Sequence, residues 1–552
     1  MDTSEQMLRM ALKEKTVTAD RLNEIRRRIL RTNKGETLPT TADLLKSYHK
    51  LVKNGSLKVS PMLERLLVKR AVRTLSGVSI VTSLAKPYHC PGKCVYCPNE
   101  PDMPKSYLAE EPAAARAQSL RFSPFLQMRR RLETLTANGH PTDKIELIVK
   151  GGTWNAYPLA YQYWFIAESF RAANGEKMAK PEDESVEKAK KELLRAEKKN
   201  ETAKHRIIGV TLETRPDFIT EKTVWEMRDQ GCTRIELGAQ STDDKVMDLT
   251  KRGHRTARTK EATVLLKNYG FKVDYHLMPQ LPGTTPKKDL KMLKEVFEDP
   301  DYRPDMIKIY PCSVIRDTEL YEWFKAGKFK PYSVRELIET LVAFKPHVPH
   351  YCRISRLIRD IPGQYIKSGN RTTNLRQVIQ QRMAEQGLKC KCLRCREIGH
   401  QINIKIQNSK NRLRTGTRKI KGQKTKLFID EYEASGGMEY FLSFEDIDRQ
   451  VVYAFCRLRI NNPTNWGKNN FYQAIIRELH TYGQMLELGT RNKKASQHQG
   501  LGKQMMLAAE DICRKNKVKK LAVISGVGVR DYYRHAGFRL ENSYMVKKLK
   551  VV

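Results

Sequence analysis

Six short apolar runs, at residues 78–84, 145–149, 207–212, 234–238, 273–278 and 306–310, alternate with amphipathic stretches of helical period. Such alternation demands parallel βα units, because a parallel strand needs a crossover helix before the chain can return to the same sheet. The expected fold class is α/β: a partial (β/α)6 barrel of the TIM type. Functional residues of such barrels sit on the turns at the carboxyl ends of the strands. The chemically unusual segments fall on that rim. CPGKCVYCP (90–98) follows the first strand, GGTW (151–154) the second, and ETRP (213–216) the third. GAQS (238–241) and PQLPG (279–283) follow the fourth and fifth.

Cys90, Cys94 and Cys97 form a CxxxCxxC array with Tyr96 just before the last cysteine. Three thiolates hold three irons of a [4Fe–4S] cluster and leave the fourth open, unlike an electron carrier held by four. An open iron can chelate the amino and carboxylate groups of S-adenosyl-L-methionine. The array resembles that of the radical S-adenosylmethionine superfamily, which implies one-electron cleavage of the sulfonium and a 5′-deoxyadenosyl radical. Gly151 and Gly152 resemble that superfamily's glycine motif. Glu213 and Gln240, on the next two turns of the rim, join them as candidate cofactor contacts.

Two further motifs lie beyond the barrel. CKCLRC (390–395) offers Cys390, Cys392 and Cys395, three thiols at the short spacing of a tetrahedral Zn2+ site. Cys312, at the end of the sixth strand, is the expected fourth ligand, with His400 and Cys352 as alternatives. QHQGLG (497–502) fits the Q/RxxGxG/A turn of the GCN5-related acetyltransferase (GNAT) fold. Backbone amides of such a turn, from Gln499 to Gly502, would face a coenzyme A pyrophosphate at a helix amino terminus. The strand RELHTYG (477–483) precedes it and GVRDYYRHAGF (528–538) follows. Tyr532 and Tyr533 are candidates to protonate the departing thiolate; the alternative for either is a buried core tyrosine.

Lys and Arg outnumber Asp and Glu by 102 to 62, a net charge of +40 that points to a polyanionic partner, with nucleic acid foremost. Eleven clustered cysteines in 552 residues do not form a disulfide framework, and no apolar run is long enough to span a bilayer. The expectation is a cytoplasmic, reduced protein with no membrane association. Four regions are expected: basic helices over 1–75, the barrel over 76–351, a basic zinc-binding linker over 352–435, and an α+β acetyltransferase domain over 436–552. The Lys/Glu-rich stretch 176–204 is read as a solvated helical insertion without chemistry.

Taken together, the motifs resemble the family of Elongator catalytic subunits in its stand-alone archaeal or bacterial form. The resemblance runs from about residue 20 to 550 and adds IELGAQS (235–241), CREIG (395–399) and SGVGVRDYYR (525–534) to the motifs above. Eukaryotic members have a wider gap before the second cluster cysteine and Phe where this chain has Trp154. The resemblance implies modification of tRNA at C5 of the wobble uridine, position 34, with acetyl-CoA supplying the two carbons of a carboxymethyl group. It further implies acetyl-CoA contacts at Lys144, Glu478, Leu479, His480, Thr481, Leu501, Gly502, Lys503 and Tyr533. The anticodon stem-loop of tRNA would be recognised electrostatically along basic segments at 25–31, 65–73, 353–382 and 409–426. A homodimer or accessory subunits are compatible with this reading. The alternative is a protein lysine acetyltransferase using the carboxyl-terminal domain alone.

Overall fold

The computed structural model describes residues 2–14, 17–32, 39–68, 76–179, 185–400, 425–462, 464, 472–482 and 500–550. Gln499 and the basic stretches 69–73 and 409–424 lie outside them.

Seven parallel strands form the first sheet: β1 (Ser79–Leu84), β2 (Lys144–Lys150), β3 (Arg206–Thr214), β4 (Cys232–Gln240), β5 (Lys272–Leu277), β6 (Met306–Ile309) and β8 (Arg353–Arg356), paired in that order. β1 and β8 are its two edges, so the sheet is a half-barrel with an open side. Apolar residues facing outward, such as Val273, Tyr275 and Leu277 of β5, pack in the main core with Phe165, Phe170 and Leu293 of the covering helices. A two-stranded ribbon of β7 (Val314–Ile315) and β9 (Ile366–Ser368) lies apart. The seventh barrel strand, β8, lies beyond the boundary at 351 set by the apolar runs. Its four residues, RISR, carry too few apolar side chains to register as a run.

The second sheet runs β10-β11-β12-β13-β14-β16-β15, from β10 (Lys426–Ala434), β11 (Gly437–Glu445), β12 (Val452–Asn461) and β13 (Ala474–Thr481) to β14 (Lys520–Val523), β15 (Arg539–Glu541) and β16 (Tyr544–Lys548). Its first strand falls within the stretch expected to be linker, because an edge strand buried on few sides needs little apolar content. All pairs are antiparallel except β13 with β14. These two are in register only over Ala474–Ile476 against Leu521–Val523. Beyond Ile476, β13 keeps β12 on one side and parts from β14 on the other, so Arg477–Thr481 border a cleft.

The two sheets dock closely. A Cβ on Gly526 would lie 1.9 Å from the carbonyl oxygen of Ile208, so this loop rests on the backbone of β3. Arg477 of β13 pairs with Asp305, which precedes β6, and Arg457 of β12 lies 3.6 Å from the same carboxylate. Among the described residues from 3 to 67, four helices surround a separate core containing Leu22, Ile25, Leu44, Tyr48 and Leu63. No helix among the described residues is long and apolar enough to cross a membrane.

Candidate active site

The rim of the half-barrel gathers the first motif set around a cavity of about 830 Å³. Cys90, Cys94 and Cys97 occupy the loop after β1 and line this cavity. Cys90 Sγ is 3.6 Å from Thr153 Oγ1; Arg252 and Arg215 point Nη1 at Cys94 Sγ from 3.5 and 3.9 Å. Burial alone raises the Cys94 thiol, but the charges of Arg252 and Arg215 outweigh it and hold the thiol below its ordinary range. Cys97, half-buried beside two other thiols, is pushed up to about 12. A Cβ on Gly92 would meet Arg215 Nη1 at 2.4 Å, so a side chain there would displace the guanidinium from Cys94.

Gly151 takes φ 149°, and its Cβ would sit 3.0 Å from both Ala85 and the Tyr157 hydroxyl. Gly152 follows with φ 89° and lines the cavity. Glu213, at the end of β3, accepts from Tyr107 Oη at 2.7 Å and lies 3.3 Å from Lys150 Nζ. Burial opposes its ionisation, yet Lys150 and His276 keep the carboxylate below its ordinary pKa. Gln240 adopts φ 68° and leaves its buried Oε1 without a partner in the cavity wall. A glycine cradle, an orphaned amide oxygen and three thiols on one rim fit an iron–sulfur cluster with S-adenosyl-L-methionine bound to it.

A second cavity, about 430 Å³, lies where β13 parts from β14, against the amino-terminal end of the barrel. Glu478, Leu479, His480 and Thr481 form one wall, and Gly500, Gly502, Lys503, Tyr532 and Tyr533 another. Gly500, at φ 72°, caps the helix Leu501–Lys515, whose first turn opens onto the space. Arg457 Nε donates to Glu478 Oε2 at 2.9 Å, and with Lys272 it keeps that buried carboxylate ionised against the cost of burial. His480 Nε2 lies 2.9 Å from the Ser76 carbonyl, and burial lowers its pKa. Tyr533 is buried, which drives its hydroxyl well above the ordinary phenol range, whereas Tyr532 is 46% exposed at the edge. Leu501 turns into the core, and neither it nor Lys144, half-buried at the start of β2, belongs to the wall. The two cavities share a wall: Ser76, Ile80, Arg234, Arg353 and Glu397 border both.

Among the described residues, Cys390, Cys392 and Cys395 alone bring three ligand atoms within 4.8 Å of one another. The expected fourth ligand is not brought there. Cys312 packs with Val95, Leu281 and Leu320, beside Asp289. Cys352 is the neighbour instead: its carbonyl accepts from Leu393 N at 2.8 Å, and its thiol is driven up by burial and by Cys392. Three clustered thiols fit three of the four positions of a Zn2+ site, and Cys352, next to them, is not within 4.8 Å of all three. His400 lies 3.5 Å from Glu397.

The stretch read as a solvated insertion has a contact role. Its helix Val186–Asn200 carries Glu197 into a 3.1 Å pair with Arg530, and Glu201 just beyond pairs with Arg530 and Arg534. These arginines belong to the helix Arg530–His535 that holds both candidate tyrosines. The Lys/Glu pattern conceals this, because a buried and a solvated Glu look alike in sequence. Arg116, Arg131 and Arg394 also went unnoticed; with Arg353, Arg356 and Arg376 they border the open side of the larger cavity. Burial and the charges of Arg353 and Arg376 push Arg394 down to about 9, which marks a crowd of cations short of anions. Nothing short of tertiary structure brings these scattered arginines together.

The Radical SAM superfamily model matches residues 86–296, and the Radical_SAM C-terminal domain model matches 304–385. The chain is 41% identical over 554 residues to the tRNA uridine(34) acetyltransferase of Methanocaldococcus infernus, covering 99% of this chain and 98% of that one. It is 38% identical over 497 residues to human Elongator complex protein 3, covering 88% and 86%. The solved structure of M. infernus Elp3 lacking residues 1–46 superposes with a TM-score of 0.71 at 40% identity, over 86% of this chain and all of the other. A cysteine-bearing half-barrel joined to a cleft-bearing second sheet, along nearly the full length of these relatives, places the chain in the radical SAM family of tRNA uridine(34) acetyltransferases and Elongator complex protein 3.

Proposed function

We propose that the protein builds a carboxymethyl group on C5 of uridine 34 in tRNA, using acetyl-CoA as the source of both carbons. The observation that carries this reading is that the two cavities lie back to back, with Ser76, Ile80, Arg234, Arg353 and Glu397 bordering both. A thioester held by the second sheet would thereby stand next to the barrel interior, as a reaction needing both cofactors requires. Cys90, Cys94 and Cys97 would hold the [4Fe–4S] cluster, and Gly151, Gly152, Glu213 and Gln240 would bind S-adenosyl-L-methionine. When bound, that pair supplies a one-electron cleavage able to activate an unreactive C–H bond, chemistry that no side chain provides.

The remaining tasks fall to the chain's own residues. Gly500, Gly502 and Lys503, with Gln499 outside the described residues, would cradle the coenzyme A pyrophosphate at the helix start. Glu478–Thr481 would line the pantetheine arm along the unpaired edge of β13. Tyr533, at the wall of this cavity, would present its hydroxyl proton to the departing thiolate. Lys144, two residues from Glu146 at the edge of this cavity, would approach the thioester from the barrel side. Arg353, Arg356, Arg376 and Arg394 would meet RNA phosphates at the open side of the half-barrel. Cys390, Cys392 and Cys395 would hold a structural Zn2+ with Cys352 rather than Cys312 as the fourth thiol.

The test uses anaerobically reconstituted protein with dithionite, S-adenosyl-L-methionine, acetyl-CoA and unmodified tRNA, followed by mass spectrometry of the digested nucleosides. 5-Carboxymethyluridine should form, should require both cofactors, and should vanish in Cys94→Ala. A Cys94→Ala protein that still acetylates lysine peptides, beside a wild type that leaves tRNA unchanged, would favour the protein acetyltransferase instead.

A further inference from the structure

Parallel barrels ordinarily fill their interior with layers of branched apolar side chains. This half-barrel does the opposite. The inward positions of β4, β5 and β6 include Arg234 and Glu236, Asp274 and His276, and Lys308. Glu236 and Asp274 face each other across neighbouring strands, as do His276 and Lys308. Most of these charges are matched. Arg234 pairs with Glu146 at 2.9 Å, His276 Nε2 lies 3.0 Å from Glu236 Oε2, and both Lys150 and Lys308 reach Glu236.

Asp274 is the exception. It is fully buried, it borders the cluster cavity, and neither of its carboxylate oxygens has a hydrogen-bond partner. Lys308 Nζ stands 4.0 Å from Oδ2, beyond hydrogen-bond length. Burial raises the Asp274 carboxyl and lowers Lys308 to about 8, so each charge lacks solvation that its neighbours do not replace. A buried carboxylate with free lone pairs calls for a donor, and one is missing from the protein. An ammonium has three donors, and Glu236 occupies one of those on Lys308. A free acceptor and a free donor thus stand side by side, next to the rings of His276 and Tyr310, whose centroids are 5.2 Å apart.

We propose that Asp274 and Lys308 read the Watson–Crick edge of a uracil turned into the barrel, the carboxylate accepting from N3–H and the ammonium donating to O4. The proposal rests on the reading of tRNA uridine as substrate and adds how uridine is told from cytidine. Enzymes that do chemistry on a base take it out of its stack and read that edge by hydrogen bonds. Cytosine presents the reverse pattern, a lone pair at N3 and an amino group at N4. It would set acceptor against acceptor at Asp274 and donor against donor at Lys308. Buried polar groups left unpaired in this way give strong rejection, since water cannot rescue them.

The test compares reconstituted holoenzyme on anticodon stem-loop RNAs bearing uridine, 3-methyluridine or cytidine at the target position. With wild-type protein, kcat/KM should fall about tenfold or more from uridine to 3-methyluridine, which lacks the N3–H. Asp274→Ala should slow the uridine reaction and erase that difference, because the acceptor is gone and the methyl group has room. Asp274→Asn, which keeps the shape and one acceptor, should slow uridine less than alanine does. Lys308→Met should lower uridine turnover while leaving the 3-methyl penalty in place. Wild-type protein that converts 3-methyluridine as readily as uridine would overturn the proposal. So would an Asp274 variant that slows both RNAs by one common factor, the mark of a purely structural residue. If wild-type holoenzyme forms no product even from uridine, the substrate reading itself fails, and this proposal with it.

Discussion

Tyr533 shows how burial assigns a chemical role to one side chain. Its neighbour Tyr532 shares the same helical turn and reads identically in sequence, yet Tyr533 is sealed from solvent while Tyr532 stands 46% exposed. Removing that hydroxyl leaves the binding surface intact and takes away the proton donor. Tyr533→Phe should therefore lower kcat for acetyl-CoA turnover by about 10²- to 10⁴-fold with little change in KM, read as release of free coenzyme A thiol. Gly151 makes a different demand. A side chain there meets both a φ of 149° and two neighbours at 3.0 Å. Gly151→Ala should weaken S-adenosyl-L-methionine binding by about tenfold, the equivalent of roughly 1.4 kcal/mol, measured by titration calorimetry on the reconstituted protein.

At the scale of the element, the helix Val186–Asn200 determines where the tyrosine helix can sit. Glu197 is buried against Arg530, with Arg228 close by holding the carbonyl of Ser525 at 3.0 Å. Breaking one partner of a buried ion pair leaves the other charge uncompensated. Glu197→Ala should therefore destabilise the protein by about 3–5 kcal/mol and lower the melting temperature seen by circular dichroism. It should also reduce thioester turnover, because the pair fixes the helix that carries Tyr533. A second element acts at the base of the barrel. The thiol trio lies two residues before Glu397, which accepts from Arg353 at 2.7 Å and from Tyr482 at 3.2 Å while bordering both cavities. A metal there would fix the wall that the two cavities share.

For the whole molecule the decisive feature is the seam between the sheets. Asp305 from the barrel meets Arg477 and Arg457 from the second sheet, and Glu439 takes up Arg477, Arg459 and, at 3.7 Å, Lys267. Burial disfavours the Asp305 carboxylate, but Arg477, Lys267 and Arg457 overcome that and depress its pKa far below the ordinary value. A carboxyl depressed in the folded state stabilises the fold at every pH above its unfolded value, near 3.9. That contribution fades only as the pH falls below the unfolded value toward the folded one, so the docking of the sheets should survive mild acid. Asp305→Asn removes the charge at all pH values and should cost about 3–5 kcal/mol, seen as an earlier denaturation midpoint at pH 7 and little difference from wild type in strong acid.

The sequence by itself determined the parallel half-barrel, because strand–helix alternation has few other solutions, and it placed every rim motif at a strand end. It also located the second fold through the glycine turn and the tyrosine segment, whose spacing is local. What it could not supply depends on contacts between residues far apart in the chain. RISR carried no apolar run to betray β8, the Lys/Glu stretch hid the pairing of Glu197 with Arg530, and Cys312 shared a residue type with Cys352 but not a location. The orphaned Asp274, the arginines at the open side and the wall shared by the two cavities belong to the same class. A side chain's burial and partners are set by the packing of whole elements, and only the tertiary structure brings those elements together.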